Sequence, residues 1–297
     1  MLGILLMLGF CFVAPLADGT SKFLGASVPV GIIVLARFAI QGALLLPYAW
    51  LTGRPVLASG RILGLIVTRT LLHLCGTFLM ITSLLYLPLA DAFAIVFVMP
   101  FFMLFLGWAF LGEHVGLHRF TAVCVGFIGT ILVFQPSFIA VGWPAVLPMI
   151  VAILFALFIL VTRQISDKTD PVGVQALSGV IAVPILIPIL ILGDNVGIGS
   201  LTLILPSSNE VILLCCVGCL GTLAQLLMAW SIKYAPTATL APIQYAEIPM
   251  ATLIGWLVFR DFPNGLAAIG ICLTIGAGLY VIYREQANAR RLQKERP

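Results

Sequence analysis

Tyr86-Leu87-Pro88-Leu89-Ala90 recurs 148 positions later as Tyr234-Ala235-Pro236-Thr237-Ala238, and the register persists downstream of both copies. At the same offset Gly107-Trp108 falls on Gly255-Trp256, and Glu113 falls on Asp261. After one added residue, Gly116-Leu117 falls on Gly265-Leu266, and Gly129 on Gly278. A register held across an apolar run, a turn and the next apolar run marks an internal duplication. The lengths on either side leave about five helices per copy. An odd number per copy inserts the second one upside down in a bilayer, an arrangement that places a solute site near mid-membrane between the halves.

The surroundings of the repeat show that its solvent is lipid. Of the 297 residues, 62% are hydrophobic and only 9% are charged. Soluble domains carry about 25% charged residues to cover a surface that faces water. The apolar runs cover residues 2–19, 30–51, 62–86, 89–111, 120–134, 144–161, 172–192, 211–232, 237–259 and 266–283. A span takes roughly 20 residues, so the chain holds about ten transmembrane helices and no sizeable extramembrane domain. The runs are apolar on every face, whereas barrel strands would alternate, which excludes a membrane β-barrel. Breakers stand between runs at Thr52-Gly53-Arg54-Pro55, Leu87-Pro88, Gln135-Pro136 and Phe262-Pro263-Asn264-Gly265. The expected fold is all-α integral membrane, as two inverted five-helix repeats over residues 1–134 and 144–283 with a basic tail at 284–297. The first run lacks a positive flank and is needed by the repeat, so it is expected to stay in the mature protein rather than to be cleaved.

Charge placement sets the topology. With a cytoplasmic N-terminus, only Lys22 and Arg260 of the 15 basic residues fall in loops on the far side, and Arg37 and Arg69 lie within spans. Both termini are then cytoplasmic. The net charge of +4 follows this pattern and gives no reason to expect nucleic acid. All seven cysteines lie in apolar runs. Cys215, Cys216 and Cys219 have no nearby His or acid to complete a metal site, so they read as small packing residues.

Ionisable groups inside a span are costly, face the protein interior and mark solute paths. Asp18, Arg37, Arg69, Asp91 and Glu247 qualify. Arg37 and Gln41 are four apart, as are Arg69 and His73, while Gln244 and Glu247 are three apart, so each pair shares a helix face. Pro242 and Pro249 bracket Gln244-Tyr245-Ala246-Glu247, and Pro100 stands near the centre of the other half. Proline removes helix hydrogen bonds and frees carbonyls toward a cavity. The competing structural roles are internal ion pairing for Asp18 and Arg37, snorkelling for Arg69, and dipole complementation for Asp91. His73 reads as a packing residue. Glu113 and Asp261, closing the paired fourth and ninth spans, read as loop anchors. Phe93, Phe97 and Phe101 recur every four residues, which puts them on one face of a continuous fourth helix. The candidate solute-binding set is Glu247, Gln244, Tyr245, Arg37, Gln41, Asp18, Phe97 and Phe101. No nucleophile–base pair, metal motif or phosphate loop appears, so no enzymatic activity, metal or cofactor is expected.

Several of these stretches resemble the drug/metabolite transporter superfamily, in particular its EamA-type carriers. They are Ala36-Arg37-Phe38 in the second span, Leu111-Gly112-Glu113 closing the fourth, Gly126-Phe127-Ile128-Gly129 in the fifth, and Ala241-Pro242-Ile243-Gln244-Tyr245-Ala246-Glu247 in the ninth. Asp261 stands where the second half would carry the closing Glu. The resemblance implies a secondary transporter working by alternating access in a bacterial inner membrane, with a small metabolite as partner. The ninth-span stretch looks like that of S-adenosylmethionine uptake carriers, and the opening with Ala36-Arg37-Phe38 looks like bacterial riboflavin transporters. Uptake of a planar, cofactor-like solute such as riboflavin is the leading expectation. S-adenosylmethionine uptake and amino-acid or metabolite export are the alternatives, with a non-transporting scaffold more remote.

Overall fold

The computed structural model of the chain describes residues 2–99, 101–102, 117–235, 240 and 243–294. Pro100, Gly107-Trp108, Leu111-Gly112-Glu113, Gly116, Pro236-Thr237-Ala238 and Ala241-Pro242, all singled out in the sequence, lie outside them. The described residues form helices joined by turns and short loops, without strands. In chain order the helices are α1 (Leu2–Leu24), α2 (Val30–Leu51), α3 (Gly60–Leu84), α4 (Leu89–Val96) and α5 (Leu117–Val141). They continue as α6 (Leu147–Ser166), α7 (Pro171–Val196), α8 (Ser208–Tyr234), α9 (Glu247–Ile254) and α10 (Gly265–Lys294). Seven described helices are long and apolar enough to cross a membrane, and the stretches Glu247–Phe259 and Gly265–Ala277 are shorter apolar helices.

Local chemistry sets the ends. Asp170 caps α7, accepting from the amides of Val172 and Gly173, with Pro171 at the first helical position where its missing N–H costs nothing. Gly197 stops the same helix at φ 79°, a left-handed conformation open to glycine. Ser207 and Glu210 form a reciprocal capping box at the start of α8.

The fourth and ninth segments depart from unbroken spans. α4 ends at Val96, and Phe97 and Val98 form a turn before helix resumes at Met99. α9 begins only at Glu247, after a turn at Tyr245-Ala246, and runs into a π-helical turn over Gly255–Phe259. Such irregular backbone is tolerated at membrane depth only where protein or a water-filled cavity surrounds it.

Packing is inside-out relative to a soluble protein. Leu5, Leu8, Phe12, Ile191, Leu192 and Ile212 are exposed, a surface that suits acyl chains and not water. Inside, α1 packs on α8, α3 on α6, α2 on both α7 and α8, and α5 on α10. Glycine sets the closest approaches, as expected where lipid supplies no hydrophobic drive between helices. A Cβ on Gly179 would lie 2.6 Å from the Gly42 amide nitrogen, and one on Gly270 would lie 2.5 Å from the Gly129 carbonyl oxygen.

Candidate solute site

A cavity of about 810 Å³, including its open mouth, lies between α1, α2, α3, α4, α6, α8 and the start of α9. Helical spacing explains how each element reaches it. Phe10, Ala14 and Asp18 stand four apart on α1, and His73, Thr77 and Met80 stand four and then three apart on α3, so each set forms one stripe. Phe155, Phe158 and Ile159 of α6 and Phe93 and Phe97 of the α4 region supply apolar and aromatic walls. Gln225 and Met228 of α8 complete the lining, with Gln244 and Glu247 at the head of α9.

The polar groups are few. Arg37 Nη1 donates to Asp18 Oδ1 at 2.8 Å, and both residues face the cavity. Gly221 makes room for this guanidinium, because a Cβ there would stand 2.5 Å from Arg37 Nε. Glu247 is buried and makes no ion pair among the described residues. It is the first residue of α9, where the helix dipole favours a carboxylate. Cys11 of α1 donates to the Ile243 carbonyl at 3.2 Å, tying the irregular segment before α9 to the cavity wall.

Of the candidate set, Asp18, Arg37, Phe97, Gln244 and Glu247 come together at this cavity. Three lie elsewhere. Gln41, one turn beyond Arg37, donates to the carbonyl and side-chain oxygens of Gln175 at 2.7 and 3.1 Å. The Gly42–Gly179 contact draws α2 onto α7 at that level and turns the amide into the helix interface. Tyr245 is buried behind the wall with its ring 5.0 Å from that of Phe97. Phe101 packs on Phe127 at 5.3 Å, because the turn at Phe97-Val98 breaks the continuous face on which Phe93, Phe97 and Phe101 would align.

The remaining interior charges are structural in their contacts. Arg69 does not snorkel to the membrane surface: it is 1% exposed, donates to Thr162 Oγ1 at 3.0 Å and Ser178 Oγ at 3.1 Å, and lies over the Phe158 ring. Asp91, on the first turn of α4, is 3.1 Å from Ser137 Oγ. Asp261 anchors Lys22, whose ammonium also donates to the Leu87 carbonyl at 2.8 Å and lies over Phe259. His73 stands between the rings of Phe38 and Phe158, at 5.1 and 5.2 Å, and joins packing to the cavity lining. Phe10, Phe155, Phe158, Gln225 and Met228 line the cavity without having been singled out in the sequence. Apolar side chains inside apolar runs carry no local signal, and Gln225 has no charged or amide partner at helical spacing to mark it.

Comparison with known proteins agrees with this architecture. The profile of the EamA-like transporter family matches residues 1–135 and 142–284. A riboflavin transporter of Rhizobium johnstonii is 28% identical over 226 residues, 76% of this chain and 72% of its own. An S-adenosylmethionine uptake transporter of Rickettsia prowazekii is 28% identical over 271 residues, 91% of this chain and 88% of its own. A solved crystal structure superimposes with a TM-score of 0.64 at 17% identity, covering 98% of this chain and 97% of that one, which shows a shared fold. With the family profile matched on both sides of residues 136–141, and helices of membrane-spanning length around a lined cavity, the chain belongs to the EamA-like transporter family and is a multi-pass membrane transporter.

Proposed function

We propose that the protein is an alternating-access carrier that takes up a planar, cofactor-like solute such as riboflavin across a bacterial inner membrane. The observation that carries this reading is the composition of the cavity: phenylalanine side chains from the α4 and α6 regions line it together with Gln244, Glu247 and the Asp18–Arg37 pair. Aromatic faces stack on a flat ring, while a few convergent polar groups fix its orientation. The riboflavin transporter of Rhizobium johnstonii among the relatives supports the same choice.

The proposed architecture is two inverted five-helix repeats, residues 1–134 and 144–283, with a basic tail at 284–297. Its support is a symmetry in the packing. Replacing each helix by its counterpart, α1 by α6 through α5 by α10 and the reverse, turns the α1–α8 contact into α6–α3 and α2–α8 into α7–α3. It also turns α1–α9 into α6–α4, and leaves α2–α7, α4–α9 and α5–α10 unchanged. Both broken segments, at Phe97-Val98 and at Tyr245-Ala246, are counterparts and meet the cavity, as discontinuous helices do in carriers built from inverted repeats. The distribution of Lys and Arg supports cytoplasmic termini.

A second substrate class has its own support. Glu247, with no cation among its described partners, beside Phe97, Phe155 and Phe158, makes a setting for a positively charged solute through carboxylate and cation–π attraction. The S-adenosylmethionine uptake transporter of Rickettsia prowazekii fits that class. Expression in a riboflavin auxotroph separates the two. Growth on low external riboflavin supports the first reading. Absence of growth despite good membrane expression overturns it, and accumulation of labelled S-adenosylmethionine in the same cells then selects the second. Accumulation in inverted vesicles alone would instead mark an export carrier.

A further inference from the structure

A second pocket, of about 360 Å³ including its open mouth, lies toward the ends of α3, α6, α7 and α8. Among the described residues its polar lining is Arg69, Lys233, Thr162, Ser166, Thr169 and Gln175, with two cations and no carboxylate. Phe158 stands between this pocket and the central cavity: its ring lines the cavity, and the Arg69 guanidinium lies 4.5 Å from the ring centroid.

Arg69 is the unusual member. It is 1% exposed, and among the described residues it makes no ion pair; its contacts are two hydroxyl oxygens and an aromatic face. A charge held inside a membrane protein is costly unless an opposite charge or a ligand compensates it. Two acids adjoin the wall in sequence, and neither lines the pocket. Asp170 is committed elsewhere, paired with Arg54 at 2.8 Å and capping α7 through two amides. Asp167 is exposed just beyond the end of α6. The pocket therefore has positive character that no side chain among the described residues of its lining neutralises. The hydroxyls of Ser166 and Thr169 now donate to carbonyls of their own segment and can turn toward a ligand without leaving an orphaned group.

We infer that this pocket is a binding site for a phosphate group, held by the Arg69 guanidinium, which exchanges its hydroxyl contacts for the ligand, and by the ammonium of Lys233, on the side of Phe158 opposite the central cavity. Arg suits a phosphate because its planar N–H groups match two oxygens at once, and Lys adds a point charge. The phosphate can come from a lipid headgroup or from a free phosphate or phosphate ester. The inference stands whether or not the central cavity takes riboflavin.

The test uses the full-length protein in nanodiscs of zwitterionic phosphatidylcholine, with unfolding followed by tryptophan fluorescence. Inorganic phosphate, titrated at constant ionic strength against chloride, is expected to raise the melting temperature saturably. Lys233→Gln is expected to weaken the apparent phosphate affinity about tenfold, the loss of one charge-assisted bond. Arg69→Lys, which keeps the charge and loses the fork, is expected to weaken it as well while still folding. If the source is lipid, a few mole percent phosphatidylglycerol stabilises the wild type, removes the phosphate response, and does neither in Lys233→Gln; this also supports the site. A wild type that responds to neither phosphate nor phosphatidylglycerol beyond chloride overturns the inference. So does an equal response in the wild type and both variants.

Discussion

The Asp18–Arg37 pair and Glu247 behave differently although all three are charges in one cavity. Asp18 and Arg37 compensate one another at 2.8 Å, with side chains 14% and 8% exposed. Removing one partner leaves the other buried and unpaired, which costs about 3–5 kcal/mol in such settings. Arg37→Ala is therefore expected to lower the yield of folded protein, measured by size-exclusion chromatography in detergent, more than Glu247→Gln does. Glu247→Gln keeps shape and leaves no cation orphaned. It is expected to raise the half-saturating solute concentration in uptake kinetics about tenfold or more, the loss of a hydrogen bond to a charged group worth roughly 1.5–3 kcal/mol. Unchanged saturation would remove Glu247 from the solute site. Asp18, Arg37, Gln244 and Glu247 were legible as residues because charge and amide stand out in an apolar chain. Gln41 shows the limit of that signal: a polar group four positions from Arg37 shares its face, yet the neighbouring helix decides what the face meets.

At the scale of elements, glycine contacts determine how closely helices approach and therefore where their polar groups point. Gly179 faces the backbone of α2, with a notional Cβ 2.6 Å from the Gly42 nitrogen and 2.9 Å from the Phe38 carbonyl. Backbone cannot move aside as a side chain can. Gly179→Ala is expected to destabilise the fold by about 1–3 kcal/mol through overpacking and to lower the melting temperature. Gly64→Ala, where nothing lies within 4 Å, serves as the control and is expected to leave it nearly unchanged. The same comparison accounts for Gln41, since separating α2 from α7 would loosen its bonds to Gln175. The helix breaks belong to this scale too. Prolines and the repeat pointed to the fourth and ninth segments as special, but the turns fall at Phe97-Val98 and Tyr245-Ala246, residues without a breaker's chemistry. Backbone there is supported by packing around it, which local sequence does not report.

For the molecule as a whole, transport requires that the two ends of the path open in turn. Lys22 joins α1 to Asp261 after the ninth segment and to Leu87 before α4, a contact between elements that any such opening would strain. Lys22→Glu is expected to slow counterflow in liposomes several-fold, since it places like charges across that contact, and Lys22→Glu combined with Asp261→Lys is expected to recover most of the rate. The pair is partly exposed, at 15% and 38%, so the recovered coupling is about 1 kcal/mol or less. No recovery in the double variant would mean that Lys22 acts through the Leu87 carbonyl alone.

Composition and run lengths determined by themselves that this chain is helical and lives in lipid, because hydropathy and span length are properties of local sequence. The loop charges determined an expected orientation for the same reason. Tertiary structure alone decided which polar residues meet in one cavity, that Phe155, Phe158 and Gln225 join them, and that Tyr245 and Phe101 stand behind its walls. Those outcomes depend on helix tilt, glycine contacts and two breaks in the backbone, and each is settled by what a helix packs against rather than by the residues within it.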